Sequence, residues 1–183
     1  SPLKAGRLFA GTDDGRLWVT SDEGKAWTEL TDKIPAEAHG KWDARIEPSH
    51  HDPEAGYVVF TAYRAGDDTA YVYKFTKLGA EWTRLTSDLP AQTPAIVLRE
   101  DLVNPNLLYL GTEFGFFTSL NGGKNWVKFG GLPAVRVDDI QIHPREADVV
   151  ATVTSGAFDT MLAKVGRREF PVGQYVFVPT EAP

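Results

Sequence analysis

The chain has 183 residues, 42% of them hydrophobic, which is enough for one substantial globular domain with a real core. Its 19 Lys and Arg against 25 Asp and Glu leave a net charge of −6, which argues against nucleic acid or an anionic membrane surface as partner, since both select basic proteins. There is no cysteine, which excludes disulfides, thiolate metal sites and cysteine nucleophiles, and no apolar run approaches the ~18 residues of a membrane span, so no membrane insertion is expected.

From Arg7 the segment Arg-Leu-Phe-Ala-Gly-Thr reads as a short strand, Asp13-Asp14-Gly15 as a turn, and residues 16–20 as a second strand alternating Leu17 and Val19 with Arg16, Trp18 and Thr20. The stretch Thr20-Ser21-Asp22-Glu23-Gly24-Lys25-Ala26-Trp27 predicts a locked hairpin. The Asx side chain accepts backbone N–H groups across the turn, the glycine supplies a positive φ, and the tryptophan opens the next strand with a large ring to bury. A loop with Pro35 leads to a strand over 42–46 and a loop over 47–56. Residues 57–63, β-branched and aromatic, give the strongest strand signal. A polar turn over 64–68 and a strand over 70–75 follow, then a worn copy of the hairpin, Phe75 to Trp82, which keeps only Gly79 and Trp82.

The third unit has strands over 94–99 and 107–112, a turn at Glu113-Phe114-Gly115, a strand over 116–118, and the hairpin Ser119-Leu120-Asn121-Gly122-Gly123-Lys124-Asn125-Trp126. There Ser119, Asn121, Gly123 and Trp126 repeat the offsets of Thr20, Asp22, Gly24 and Trp27. A fourth unit carries strands over 137–143, 149–153, 161–165 and 174–178. The hairpin tryptophans are spaced by 55 and 44 residues, and strand threonines at 61, 112 and 152 follow the same succession. Four short strands per repeat of about 40–45 residues is the arithmetic of a propeller blade. The expected fold is therefore all-β, a partial β-propeller of about four four-stranded blades in a single domain. The blades span roughly 5–31, 42–86, 94–130 and 135–178, the first lacking its inner strand unless another segment provides it. A partial ring leaves open edges and faces, which a small closed ring, a larger ring of which this is a fragment, or two chains joining edges would each resolve; the favoured expectation is that the partner is the chain itself, as a homodimer.

The hairpins resemble the Asp-box, or bacterial neuraminidase repeat. More broadly, the chain from Ser1 to about Val153 resembles the last blades of sortilin-like, glycosyl-hydrolase-like propeller proteins of bacteria. The resemblance is carried by Gly-Thr-Asp-Asp-Gly at 11–15, Arg-Ile-Glu-Pro-Ser-His at 45–50, Asn-Pro-Asn-Leu-Leu-Tyr-Leu-Gly-Thr-Glu-Phe-Gly at 104–115 and Asp-Ile-Gln-Ile-His-Pro-Arg at 139–145. Beyond Val153 the sequence departs from that pattern, and such proteins are much longer. With no initiating Met, the expectation is a processed product or a piece of a longer protein. The resemblance implies a binding or scaffolding module for a protein or carbohydrate ligand. The rival reading is a glycoside hydrolase whose site is completed by other blades or a second chain. Proteins of this kind are often exported, but no signal peptide is visible and the sequence assigns no compartment.

In such a fold the hairpins and the His50-His51-Asp52 loop share one face, and ligands meet the opposite face near the axis. That face is expected to carry Trp42, Asp43, Arg45, Arg64, Asp67, Asp68, Glu113, Phe114, Arg136, Asp138 and Asp159. A sialidase-like site would gather Arg45, Arg64 and Arg136 around a carboxylate, and a paired-carboxylate glycosidase would use Glu113 and Asp138 about 5–10 Å apart. Arginines and acids at blade tops also serve as inter-blade ion pairs, so no catalytic residue is expected. The hairpin residues Thr20, Asp22, Gly24, Trp27, Gly79, Trp82, Ser119, Asn121, Gly123 and Trp126 are expected to be structural. Adjacent histidines on a loop point apart and no third ligand is evident, so neither a metal nor a cofactor is expected.

Overall fold

Each β-rich repeat folds into its own antiparallel sheet. The computed structural model describes residues 1–130, 134–143, 149–154 and 160–166. The first sheet holds β1 (Leu8–Gly11), β2 (Leu17–Thr20) and β3 (Thr28–Glu29). The second holds β4 (Trp42–Pro48), β5 (Gly56–Ala62), β6 (Asp67–Thr76) and β7 (Glu81–Arg84). The third holds β8 (Ala95–Glu100), β9 (Leu108–Thr112), β10 (Gly115–Ser119) and β11 (Val127–Lys128). The fourth holds β12 (Arg136–Ile142), β13 (Val149–Thr154) and β14 (Thr160–Gly166). Strands join in sequence order within every sheet, as in propeller blades. Among the described residues there is no α-helix, only short 3-10 turns.

Not every blade shows four strands. Among the described residues the first has three, without an inner one, and the fourth has three. The strand expected at 174–178 and the candidate Asp159 lie outside the described residues. The threonine series also needs correction. Thr112 opposes Ala95 just before the β8 bulge, and the residue opposing the corresponding Asp43 in β4 is Phe60, not Thr61. In the fourth blade Thr152 lies one step the other way, opposite Asp139 after the bulge. All three inner strands bulge at the equivalent residue, Ala44, Ile96 and Asp138, so the bulges do not cause the offset; the threonines stand at different places along the second strands.

The core lies between blades. Leu17, Val19 and Leu30 of the first blade meet Val58, Phe60, Tyr73 and Phe75 of the second. Tyr57, Val59, Val72 and Leu85, on the other face of the second blade, meet Leu98, Leu108, Leu110 and Phe117 of the third. Val97, Tyr109 and Phe116 meet Val137, Ile140 and Val149 of the fourth. A blade in mid-stack thus buries both faces, which is why β5 is buried from end to end and reads as a continuous apolar run.

Candidate functional site

The second blade departs from its neighbours at one hairpin. In the third blade, β9 and β10 are joined by Glu113 and Phe114 alone. Thr112 closes that turn: its Oγ1 donates to the Gly115 carbonyl at 2.9 Å and accepts the Phe114 N–H at 3.2 Å. With Phe60 in the corresponding place, β5 and β6 instead pair on to Ala62 and Asp67. They are joined by a 3-10 turn, Tyr63–Ala65, that ends in Gly66 at φ +78. The longer hairpin carries Tyr63 and Arg64 out beside Trp42, the first residue of β4, which pairs with Thr61.

These residues frame a cleft of about 430 Å³ where all four blades contribute. Asp13 comes from the first blade, Trp42, Thr61, Tyr63 and Arg64 from the second, Ile96 from the third and Arg136 from the fourth. The volume falls in the range of small-ligand sites. The exposed Arg64 guanidinium lies 5.3 Å from the Trp42 ring and 5.7 Å from the Tyr63 ring, and its Nε donates to the Tyr63 hydroxyl at 3.1 Å. Arg64 has no carboxylate partner among the described residues. The Arg136 guanidinium lies 5.5 Å from the Tyr63 ring. Hydrogen bonds from Arg64 and Arg136 hold the Tyr63 phenol below its usual pKa. Thr61 lines the cleft, is buried, and has an Oγ1 with no hydrogen-bond partner, which leaves an unmet polar group in the wall.

The two candidate acids share one partner. Arg136 pairs with Glu113 through Nη1, and with Asp138 through Nε at 2.5 Å. Burial pushes the Glu113 carboxyl above its usual pKa; the Arg136 charge opposes that shift, while Asp138 and Asp68 add to it. Burial works against the Arg136 charge, but hydrogen bonds to Asp138 and Tyr63 and the charge of Glu113 outweigh it and raise its pKa.

The structure does not gather the three arginines. Trp42, Arg64 and Arg136 line the cleft, but Arg45 turns into a separate network along the inner strands. Its Nη2 meets Asp139 at 2.5 Å, and Arg99 reaches Asp139 at 3.2 Å and Glu47 at 2.6 Å. Arg99 Nε also donates to the Ile140 carbonyl at 2.8 Å, so the network ties β4, β8 and β12 together. Arg99, Glu47 and Asp139 escaped sequence reasoning. Their signal was opposite charges at alternate positions of successive inner strands. Asp67 is likewise taken up elsewhere: Lys41 at 2.7 Å and the Tyr71 hydroxyl at 2.9 Å hold its carboxyl well below the usual range. Asp68 is exposed.

On the opposite side, the hairpin residues build turns. Thr20 Oγ1 donates to Asp22 at 2.7 Å and accepts the Gly24 N–H at 3.1 Å, while Asp22 accepts the Ala26 N–H at 2.9 Å. Ser119 Oγ donates to Asn121 at 3.0 Å and accepts the Gly123 N–H at 2.8 Å, and Asn121 accepts the Asn125 N–H at 2.9 Å. The worn copy keeps the backbone shape, with Gly79 at φ +80 and the Trp82 indole donating to the Gly79 carbonyl at 2.8 Å. In the histidine loop, Glu100 is almost fully buried and holds Ser49 Oγ and the His50 N–H, while the His51 ring meets the Asp101 carbonyl at 2.8 Å. That loop locks the second blade to the third.

No protein-family model matches the chain, and a search of curated proteins found no match. Solved structures do match. An ancestral GH74 enzyme superposes with a TM-score of 0.68 at 21% identity, over 94% of this chain and 24% of that one. The GH74 xyloglucanase from Xanthomonas campestris gives 0.62 at 15% identity, over 87% of this chain and 25% of that one. YCF48 bound to D1 peptide gives 0.62 at 16% identity, over 94% and 49%. These likenesses establish the fold: the chain is a partial β-propeller. It spans about a quarter of the GH74 structures and about half of YCF48.

Proposed function

We propose that the chain is a non-catalytic binding module of the Asp-box, sortilin-like kind, whose protein or carbohydrate ligand occupies the cleft under Trp42, Tyr63 and Arg64. The observation that carries this reading is the shared engagement of Glu113 and Asp138 by Arg136, which commits both candidate acids to structure. Glycoside hydrolysis needs one carboxyl group free to protonate the leaving oxygen and another free to act as nucleophile or base. Arg64 and Trp42, by contrast, stand at the rim with a guanidinium and an aromatic surface on offer.

Xyloglucan is the informative first probe, because GH74 xyloglucanase is among the structural neighbours. The expected result is retardation of the chain in a native gel containing xyloglucan, reduced by Arg64→Ala, with no release of reducing ends. Reducing-end release that disappears in Glu113→Gln would overturn the reading in favour of a hydrolase. Retardation unchanged by Arg64→Ala would remove the ligand from this cleft.

A further inference from the structure

The first blade presents a face built for burial that nothing among the described residues buries. Register equivalence makes this explicit. The Leu17, Val72 and Phe116 carbonyls accept the same closing bond, from the N–H groups of Leu30, Leu85 and Phe129. Counting from them, Ala10 and Trp18 correspond to Val58 and Tyr73 and to Leu110 and Phe117. Leu8 corresponds to Leu108. In the second and third blades these positions are buried against the preceding blade. In the first, Ala10 and Trp18 are half-buried and Leu8 is 47% exposed.

The hairpins repeat the contrast. A Cβ on Gly79 would meet Leu30 at 3.2 Å and one on Gly123 would meet Leu85 at 2.8 Å; each leucine directly follows the outer strand of the preceding blade. Gly24 has only its own Trp27 nearby, and Trp27 is 42% exposed. What fits this face is therefore known from two examples within the chain: the following-side face of another blade, ending in an apolar residue after its outer strand.

In a second copy, the register of the described strands of the fourth blade can be set against that of the second. In the second blade, Tyr57, Val59 and Val72 cover the blade that follows. The register of β13 and β14 puts Val150, Thr152 and Leu162 at the same three positions of the fourth blade. We propose that two copies join head to tail, the fourth blade of each packing on the first blade of the other, to close one ring of about eight blades. That number lies within the range at which propellers close. Each copy would repeat a contact of the kind the chain makes between its own blades, and a two-copy ring uses one joining face at each end of each copy, so growth stops at two.

Light scattering during gel filtration of the full chain tests this, and the expected mass is twice the 20.1 kDa of one chain. Ala10→Arg places a charge on the joining face without emptying the core, so it is expected to give a monomer with an unchanged circular dichroism spectrum. Because the chain has no cysteine, Ala10→Cys supplies a single thiol. Its maleimide labelling is expected to slow at least tenfold as concentration rises through the association range. A monomer at 100 µM, an open-ended series of larger species, or a dimer in which Ala10→Cys labels as fast as in the dilute chain would each overturn the proposal.

Discussion

The hairpins at Thr20–Trp27 and Ser119–Trp126 use the same residue types at the same offsets and make the same hydrogen bonds, yet their tryptophans live in different worlds. Trp126 is 7% exposed and its indole donates to the Leu85 carbonyl at 2.6 Å, across the blade boundary. Trp27 is 42% exposed. The local motif shapes the turn; the burial of its tryptophan comes from the blade beside it. A motif of this kind marks a place where blades can join, and whether they do is decided by tertiary context.

The largest expected difference follows from that. Trp126→Ala empties a packed site and orphans the Leu85 carbonyl, and should cost about 3–5 kcal/mol in urea unfolding. Trp27→Ala in the dilute chain should cost about 1 kcal/mol or less. Equal losses would mean that Trp27 is already covered.

Next come the glycines. Both Gly24 and Gly123 sit at positive φ, +90 and +86, so alanine is strained at either by about 1–2 kcal/mol. Only at Gly123 does the new methyl also strike Leu85, which should add about 1–3 kcal/mol of overpacking. Thermal unfolding of Gly24→Ala and Gly123→Ala reads the gap. The hydroxyls should show none. Thr20→Val and Ser119→Ala each remove a bond to the turn backbone, and each should cost about 1 kcal/mol. A several-fold larger loss at Ser119 would mean that the hydroxyl bond, too, depends on the neighbouring blade.

The smallest effect is acid sensitivity, and it separates the turns by chemistry alone. The Ala26 N–H and the Thr20 hydroxyl hold the Asp22 carboxyl below its usual pKa. A carboxylate whose pKa is depressed on folding stabilises the folded state above the unfolded value of about 3.9 and loses that contribution as pH falls through the folded one. Asn121 cannot titrate. Amide exchange at Ala26 should therefore accelerate, relative to Asn125, as pH drops below about 4. Asp22→Asn should erase the difference, and its persistence in that variant would refute the assignment to Asp22.

Much of this was legible beforehand. The three hairpins and the strand succession follow from short-range patterns, because turn chemistry and strand alternation act within a few residues. The candidate cleft was legible in pieces: Trp42, Arg64, Glu113 and Arg136 were placed on one face, and Trp42, Arg64 and Arg136 line one cleft. The pairing of Arg45 with Asp139 was not legible, because Asp139 lies 94 residues away on another blade. Thr61 was read as one of a series, but it stands one place beyond the register of Thr112, and its hydroxyl has no partner.

The sequence by itself determined the blades, since each is a local antiparallel sheet whose turns and alternation are written within about 45 residues. Only the tertiary structure decided which acids Arg136 engages, which arginine faces the cleft, and which hairpin tryptophan is covered. Those outcomes depend on side chains from different blades meeting across the stack, and a spacing along one chain carries no record of that distance.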